Sequence, residues 1–272
     1  MTLRVLWQSS TSWARTYGEM FVNNAGSGGD RLMGARPRTT SARWMADGVP
    51  KAILFDFGGT LDADGITWKE RFYPLYLAEG VEVDRARYDQ AFYTADDALV
   101  AKRLEACSFR EILLLQVTGV LEALNRVDPA LSSRLCDRFL EDSLDKIRAN
   151  LTILHKLSGR FRLGIVSNFY GNLARVCVET GLAPVMSVVV DSACIGFTKP
   201  DPRIFQVALT QLQLDAGEAV FVGDSLPRDM EGARRLGMPH IWLVSDNCGP
   251  RVPCCPGDRI INSFPDLLEA LL

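Results

Sequence analysis

Two hydrophobic rhythms alternate along the chain beyond residue 50. Short unbroken apolar runs, among them Ala52-Ile53-Leu54-Phe55, Leu163-Gly164-Ile165-Val166 and Val220-Phe221-Val222, stop at an acid, a serine or a glycine. Runs this short read as strands of a parallel sheet buried on both faces. The pattern predicts strands over 51–55, 161–167, 185–190, 219–223 and 241–244. Between them the apolar spacing turns helical. Phe205, Ala208, Leu209 and Leu212 form an i, i+3, i+4, i+7 stripe behind Asp201-Pro202, a capping residue followed by proline at the first helical position. Further helices are expected over 150–158, 171–181, 228–236 (stopped by Gly237) and 264–271. Strand and helix in alternation predict an α/β fold with a doubly wound parallel sheet, whose ligands gather at the carboxyl ends of the strands.

Two stretches break the alternation. From 67 to 148 apolar residues keep helical spacing, as in Phe72-Leu75-Tyr76 and Ile112-Leu113-Val117-Val120-Leu121, punctuated by Gly80, Gly119 and Pro129. This predicts about four helices forming a separate lobe between the first two strands. Residues 1–50 hold Arg4, Arg15, Arg31, Arg36, Arg38 and Arg43 against Glu19, Asp30 and Asp47, with no sustained period. They read as a poorly ordered extension, and three accounts stand: a true start at Met45, a disordered tail, or an Arg-rich, acid-poor organelle transit peptide.

Composition narrows the partners. With 47% hydrophobic and 23% charged residues and a formal net charge of −3, nothing points to nucleic acid or a membrane surface. No window approaches the roughly 18 uninterrupted apolar residues of a spanning helix. The 7 cysteines are scattered, which fits a reducing, cytoplasmic setting. Cys248, Cys254 and Cys255 crowd one late loop but lack a paired zinc spacing. His155 and His240 are too few and too far apart for a histidine-based centre and read as structural.

Four segments carry candidate chemistry. Asp56-Phe57-Gly58-Gly59-Thr60 follows the first strand, where a carboxylate either caps the turn or acts as a nucleophile. Gly58 and Gly59 let backbone approach a ligand and can form an anion-binding nest, and Thr60 is expected to brace the loop. Ser167-Asn168 ends the second strand. Lys199-Pro200-Asp201-Pro202 offers an ammonium aimed by a constrained backbone. Asp224 and Asp229, five apart around a tight loop, suit a hard cation such as Mg2+.

Taken in order, Asp, Ser, Lys, then Asp-x-x-x-x-Asp, these segments resemble the haloacid dehalogenase superfamily over roughly 51–272. The resemblance implies a core made of 51–64 and 149–272 and a helical cap over 65–148. It implies Asp56, Ser167 and Lys199 as catalytic, and Phe57, Gly58, Gly59, Ser167, Asn168 and Lys199 around the substrate. Mg2+ would sit on Asp56, the Gly58 carbonyl, Asp224 and Asp229, with Asp229 alternatively orienting Lys199. The implied substrate is a small phosphorylated metabolite, cleaved through an aspartyl phosphate. One position departs from the pattern. Two residues after the nucleophile, where the superfamily's phosphatases usually carry an aspartate as general acid and base, stands Gly58. Asp62 or Asp64 could substitute for it, and an aspartate introduced at 58 is expected to raise ester hydrolysis. Other readings remain: phosphonate cleavage using Lys69 or Lys102, dehalogenation, or a regulatory protein that binds metal and phosphate without turnover.

Overall fold

The computed structural model describes residues 49–102, 104–245 and 259–272. The expectations for residues 1–48, Met45 included, and for the Cys248, Cys254 and Cys255 cluster lie outside the described residues. Six strands form one parallel sheet: β1 (Ala52–Phe55), β2 (Arg162–Ser167), β3 (Val188–Asp191), β4 (Ala219–Gly223), β5 (His240–Leu243) and β6 (Arg259–Ile261), in the spatial order β3-β2-β1-β4-β5-β6. The chain builds outward from β1 on one side, then returns to add β4 on the other. This reversal beside β1 is the switch point at which a doubly wound sheet opens a ligand crevice.

All four residues of β1 are buried, and its two faces feed two apolar clusters. Ile53 and Phe55 face one cluster, and Ala52 and Leu54 face the other. Between β1 and β2 come α1 (Trp68–Ala78), α2 (Arg85–Val100), α3 (Phe109–Ala123) and α4 (Pro129–Ser158). Their apolar faces, including Trp68, Phe72, Phe92, Ile112 and Phe139, join the Ile53–Phe55 cluster. The helical insertion therefore shares its core with one side of the sheet.

The helix expected at 150–158 is instead the end of α4, one unbroken helix of 30 residues. Pro129, which reads as a break in the sequence, opens this helix. Asp128 caps it, its Oδ1 accepting from the Ala130 and Leu131 N–H groups at 3.0 Å, and proline is harmless in the first turn. Beyond β2 follow α5 (Leu173–Glu179), the short α6 (Ser192–Ile195), α7 (Pro202–Leu212), α8 (Glu231–Arg235) and α9 (Asp266–Leu271). Asp201 caps α7 as its sequence indicates. The third strand starts later than expected because Ala183–Val185 forms a helical turn, and β6 has no counterpart in the sequence reading. Among the described residues no helix is long and apolar enough to cross a membrane.

Gly164 shows how tightly the sheet is covered. A Cβ there would fall 2.4 Å from Val188 Cγ1 and 2.8 Å from Leu54 Cδ2. Gly164→Val should therefore cost about 1–3 kcal/mol through overpacking, read as a lower urea midpoint at unchanged slope.

Candidate active site

The ends of β1, β2 and β4 converge because the register forces them to. Phe55 pairs with Ile165 on one side and Val222 on the other, so Asp56 emerges beside Ser167 and Asp224. Asp56 Oδ1 accepts from Ser167 Oγ at 2.7 Å and is ion-paired to Lys199 Nζ at 2.7 Å. Lys199 Nζ lies equally close, 2.7 Å, to Asp229 Oδ1. All four side chains are buried. Burial works against the Lys199 charge, but Asp229 and Asp56 outweigh it and hold its pKa above the ordinary lysine value.

Asp224 completes the group. One oxygen each from Asp56, Asp224 and Asp229 lie within 4.8 Å of one another. Burial pushes the Asp224 carboxyl far above its usual range, and the charges of Asp229 and Asp56 add to this. One oxygen from each of three buried carboxyl groups at this spacing makes an all-oxygen donor set that fits a hard divalent cation. Thr60 braces the loop as expected, its Oγ1 donating to Asp224 Oδ1 at 3.0 Å. Gly59, at φ 92°, lies so close that a Cβ would meet Asp224 Oδ2 at 2.5 Å. Both oxygens of Asp229 are engaged, Oδ1 by Lys199 and Oδ2 by the Ser225 N–H at 2.9 Å. That arrangement suits the orienting role for Asp229.

Two residues expected around the substrate, Asn168 and Gly59, are otherwise employed, and the side chain of a third, Phe57, belongs to the core. Asn168 clasps the Lys199 backbone: its Oδ1 accepts from the Lys199 N–H at 2.7 Å, and its Nδ2 donates to the Lys199 carbonyl at 3.2 Å. The Gly59 N–H donates to Asp62 Oδ1 at 2.7 Å, so it is not offered to an anion. The Phe57 ring is fully buried, in edge contact with Phe109 and Phe169 at centroid distances of 5.7 and 5.4 Å.

Asp62 and Asp64 are not spare acids. Asp62 is fully buried, and its Oδ2 accepts from Trp68 Nε1 (2.7 Å), Arg71 (2.8 Å) and Ser143 Oγ (3.2 Å). Asp64 pairs with Lys146 at 2.6 Å and accepts from the Phe264 N–H at 3.3 Å. Asn150 Nδ2 donates to the Leu61 carbonyl at 3.0 Å. Ser143, Lys146 and Asn150 share one face of α4, and the buried Ile153, Leu154 and Leu157 carry the helix on past the expected boundary. The lysines suited to a Schiff base stand apart, Lys69 being paired with Asp89 at 3.0 Å and Lys102 exposed.

Trp68 has no role in the sequence reading, and the structure gives it one. Its indole lies over Gly58, where a Cβ would fall 3.1 Å from Nε1. It is fixed by Asp62 and by ring contacts to Phe109, Phe139 and Phe169 at 6.0, 5.6 and 5.9 Å. The signal in the sequence was indirect: a glycine where a side chain is usual implies that something else fills the space.

Comparison with known proteins agrees with this geometry. A family model described as haloacid dehalogenase-like hydrolase matches residues 50–237. Haloacid dehalogenase-like hydrolase domain-containing protein 3 of Bos taurus is 37% identical over 113 residues, 40% of this chain and 45% of that protein. The chain thus matches less than half the length of this relative. A phosphoserine phosphatase of Thermus thermophilus is 38% identical over 82 residues, covering 30% of this chain and 33% of its own. Among solved structures, the candidate HAD-hydrolase YfnB of Bacillus subtilis, bound to magnesium, superposes with a TM-score of 0.52 at 21% identity, covering 82% of this chain and 99% of its own. A dehalogenase gives 0.56 at 20% identity, with 83% and 98% covered. At such identities the likeness is one of fold.

The two aspartates of the loop predict different costs. Asp62→Ala takes from Arg71 one of its two carboxylates, Asp142 remaining at 2.9 Å, and leaves the Gly59 N–H, Trp68 Nε1 and Ser143 Oγ without this acceptor; it should destabilise by about 2–4 kcal/mol. Asp64→Ala loses a partly exposed pair and should cost about 1 kcal/mol or less. Urea denaturation of both variants measures the contrast, and equal losses would contradict it.

Proposed function

The chain belongs to the haloacid dehalogenase-like hydrolase family, and on that premise we propose that it is a Mg2+-dependent phosphohydrolase acting on a small phosphorylated metabolite. The observation carrying this reading is Asp56 at the end of β1, with one oxygen pinned by Ser167 and Lys199 and two further carboxylates alongside. Ser167 and Lys199 fix the carboxylate plane and leave Oδ2 to attack. In the first step Oδ2 bonds to phosphorus while the bond to the leaving oxygen breaks, and that oxygen keeps the electron pair. In the second, water attacks phosphorus, restores Asp56 and releases phosphate. Lys199 balances charge on the phosphoryl oxygens throughout. A divalent cation, held by Asp56, Asp224 and the Gly58 carbonyl, would supply further charge neutralisation. Asp229 keeps Lys199 aimed.

The leaving oxygen finds no acid on the loop. Gly58 has no side chain, Asp62 and Asp64 are engaged, and the space above Gly58 holds Trp68. General acid help is commonly worth about 10²- to 10⁴-fold, or roughly 3–5 kcal/mol of barrier. Leaving groups that depart without a proton, such as those of acyl phosphates, should therefore turn over faster than simple alkyl esters. The same packing supports a second reading, a metal- and phosphate-binding protein without turnover.

A screen of alkyl phosphates and acetyl phosphate, with and without Mg2+, separates the two. Hydrolysis that requires Mg2+ and disappears in Asp56→Asn is expected; no turnover together with retained phosphate binding would favour the second reading. Gly58→Asp alone should not raise ester hydrolysis, because Trp68 occupies the space. Combined with Trp68→Phe it should exceed Trp68→Phe alone, by about tenfold or more if the new carboxyl reaches the leaving oxygen.

A further inference from the structure

The loop that follows β2, residues 168–172, faces two ways. Its first residue serves the site's ammonium: Asn168 accepts from the Lys199 N–H at 2.7 Å and donates to the Lys199 carbonyl at 3.2 Å, directly behind Ser167, which holds Asp56. Its later residues serve the helical insertion. The Tyr170 hydroxyl donates to Asp96 Oδ1 on α2, Asn172 Nδ2 donates to the Cys107 carbonyl at 2.9 Å, and the Phe169 ring lies 5.9 Å from that of Trp68 on α1. One short loop thus touches both Lys199 and the insertion.

Backbone and side chains divide the work of fixing it. The Phe169 N–H donates to Ser192 Oγ at 3.1 Å and the Gly171 N–H to Asp191 Oδ2 at 2.9 Å, so the odd-numbered residues are fastened to the core through their backbone. The even-numbered ones, Asn168, Tyr170 and Asn172, are fastened through their side chains, to Lys199, Asp96 and Cys107. Gly171, at φ 98°, adopts the left-handed conformation that turns the chain between Tyr170 and Asn172. Tyr170 is buried, so its hydroxyl needs a partner, and α2 supplies it. Another bond between insertion and core bypasses the loop: the Phe109 N–H at the start of α3 donates to Glu179 Oε2 on α5 at 2.9 Å.

We propose that Asp96 and Tyr170 are positioning residues that tie the alignment of Lys199 to the seating of the helical insertion. With α2 seated, Tyr170 is held, the loop keeps its shape and Asn168 aims Lys199 at Asp56. With α2 lifted, the clasp on the Lys199 backbone loosens, so the charge partner of Asp56 is in place only while the insertion is. A purely structural Tyr170–Asp96 bond would stabilise the protein without reaching Lys199, and that is the distinction to measure. The proposal rests on the phosphohydrolase reading for its effect on turnover, though not for the coupling itself.

The Lys199 amide reports on the clasp directly, because its N–H is the one that Asn168 holds. Amide hydrogen exchange is compared across the full chain and its variants Tyr170→Phe, Asp96→Ala, Asp96→Asn and Glu179→Ala. The first two should each speed exchange at Lys199 about tenfold or more, and their combination should add nothing further. The Asp56 amide, bonded to the Val222 carbonyl at 2.9 Å, should keep its rate and so exclude general loosening. Asp96→Asn keeps an acceptor for Tyr170 and should restore the protection, and Glu179→Ala should leave Lys199 unchanged. On a phosphate substrate that the enzyme turns over, Tyr170→Phe and Asp96→Ala should lower kcat about tenfold while KM moves less than about twofold. The proposal is overturned by unchanged exchange at Lys199 in those two variants, by an equal rise in Glu179→Ala, by Asp96→Asn behaving as Asp96→Ala, or by an unchanged kcat. Exchange that follows the expected pattern in a chain that turns over nothing sustains the coupling and removes the hydrolase reading.

Discussion

Everything at the candidate site depends on one buried ammonium. Lys199 stands between Asp56 and Asp229 at 2.7 Å from each, in a place water hardly reaches. Without it, two carboxylates would have to be buried against each other and against Asp224, at a desolvation cost of several kcal/mol per charge. With it, Asp56 and Asp229 face a cation rather than each other, and Asp224 is left as the carboxyl whose burial no ammonium of its own offsets. The surrounding structure serves to hold that nitrogen in place. Asn168 grips the Lys199 backbone from β2, Asp229 is locked by the Ser225 N–H, and the stem of Lys199 passes the Phe221 ring, with Nζ 5.5 Å from its centroid.

A second buried charge organises the loop from the other side. Asp62 takes one N–H from Gly59 and donors from α1 and α4, so the helical insertion and the nucleophile loop share one carboxylate. Because Trp68 is one of those donors, the residue that stabilises the loop also closes the space above Gly58. Loop geometry and the absence of an acid at that position are thus parts of one packing solution.

The elements were largely legible because each depends on local pattern. β1, β4 and the Asp201 cap of α7 follow from apolar runs and capping residues alone. Where the reading went astray, the deciding partner is remote. Pro129 opens α4 because of Asp128; the middle of the helix is tied by Ser143, Lys146 and Asn150 to a loop about 80–90 residues earlier in the chain, and its last turns bury Ile153, Leu154 and Leu157 in the core. Asn168 and Asp62 sit in motifs that suggest ligands and acids, yet their hydrogen bonds go to Lys199 and Trp68, which spacing cannot reveal. β6 is three residues long and exists only by pairing with β5.

Gly58 then takes on a different meaning. A missing acid could mark a decayed enzyme, in which case the space would be empty or refilled at random. Here it is filled by an indole held at 2.7 Å by a buried carboxylate and braced by three rings. Packing of that kind excludes water from the side of the nucleophile where a base would otherwise activate it. A phosphoryl group on Asp56 would then have to meet its water from a side other than that of Gly58. Control over the second step would then lie outside the loop after β1, because the packing that holds Asp62 and Trp68 together leaves that loop no acid and no free space to supply it.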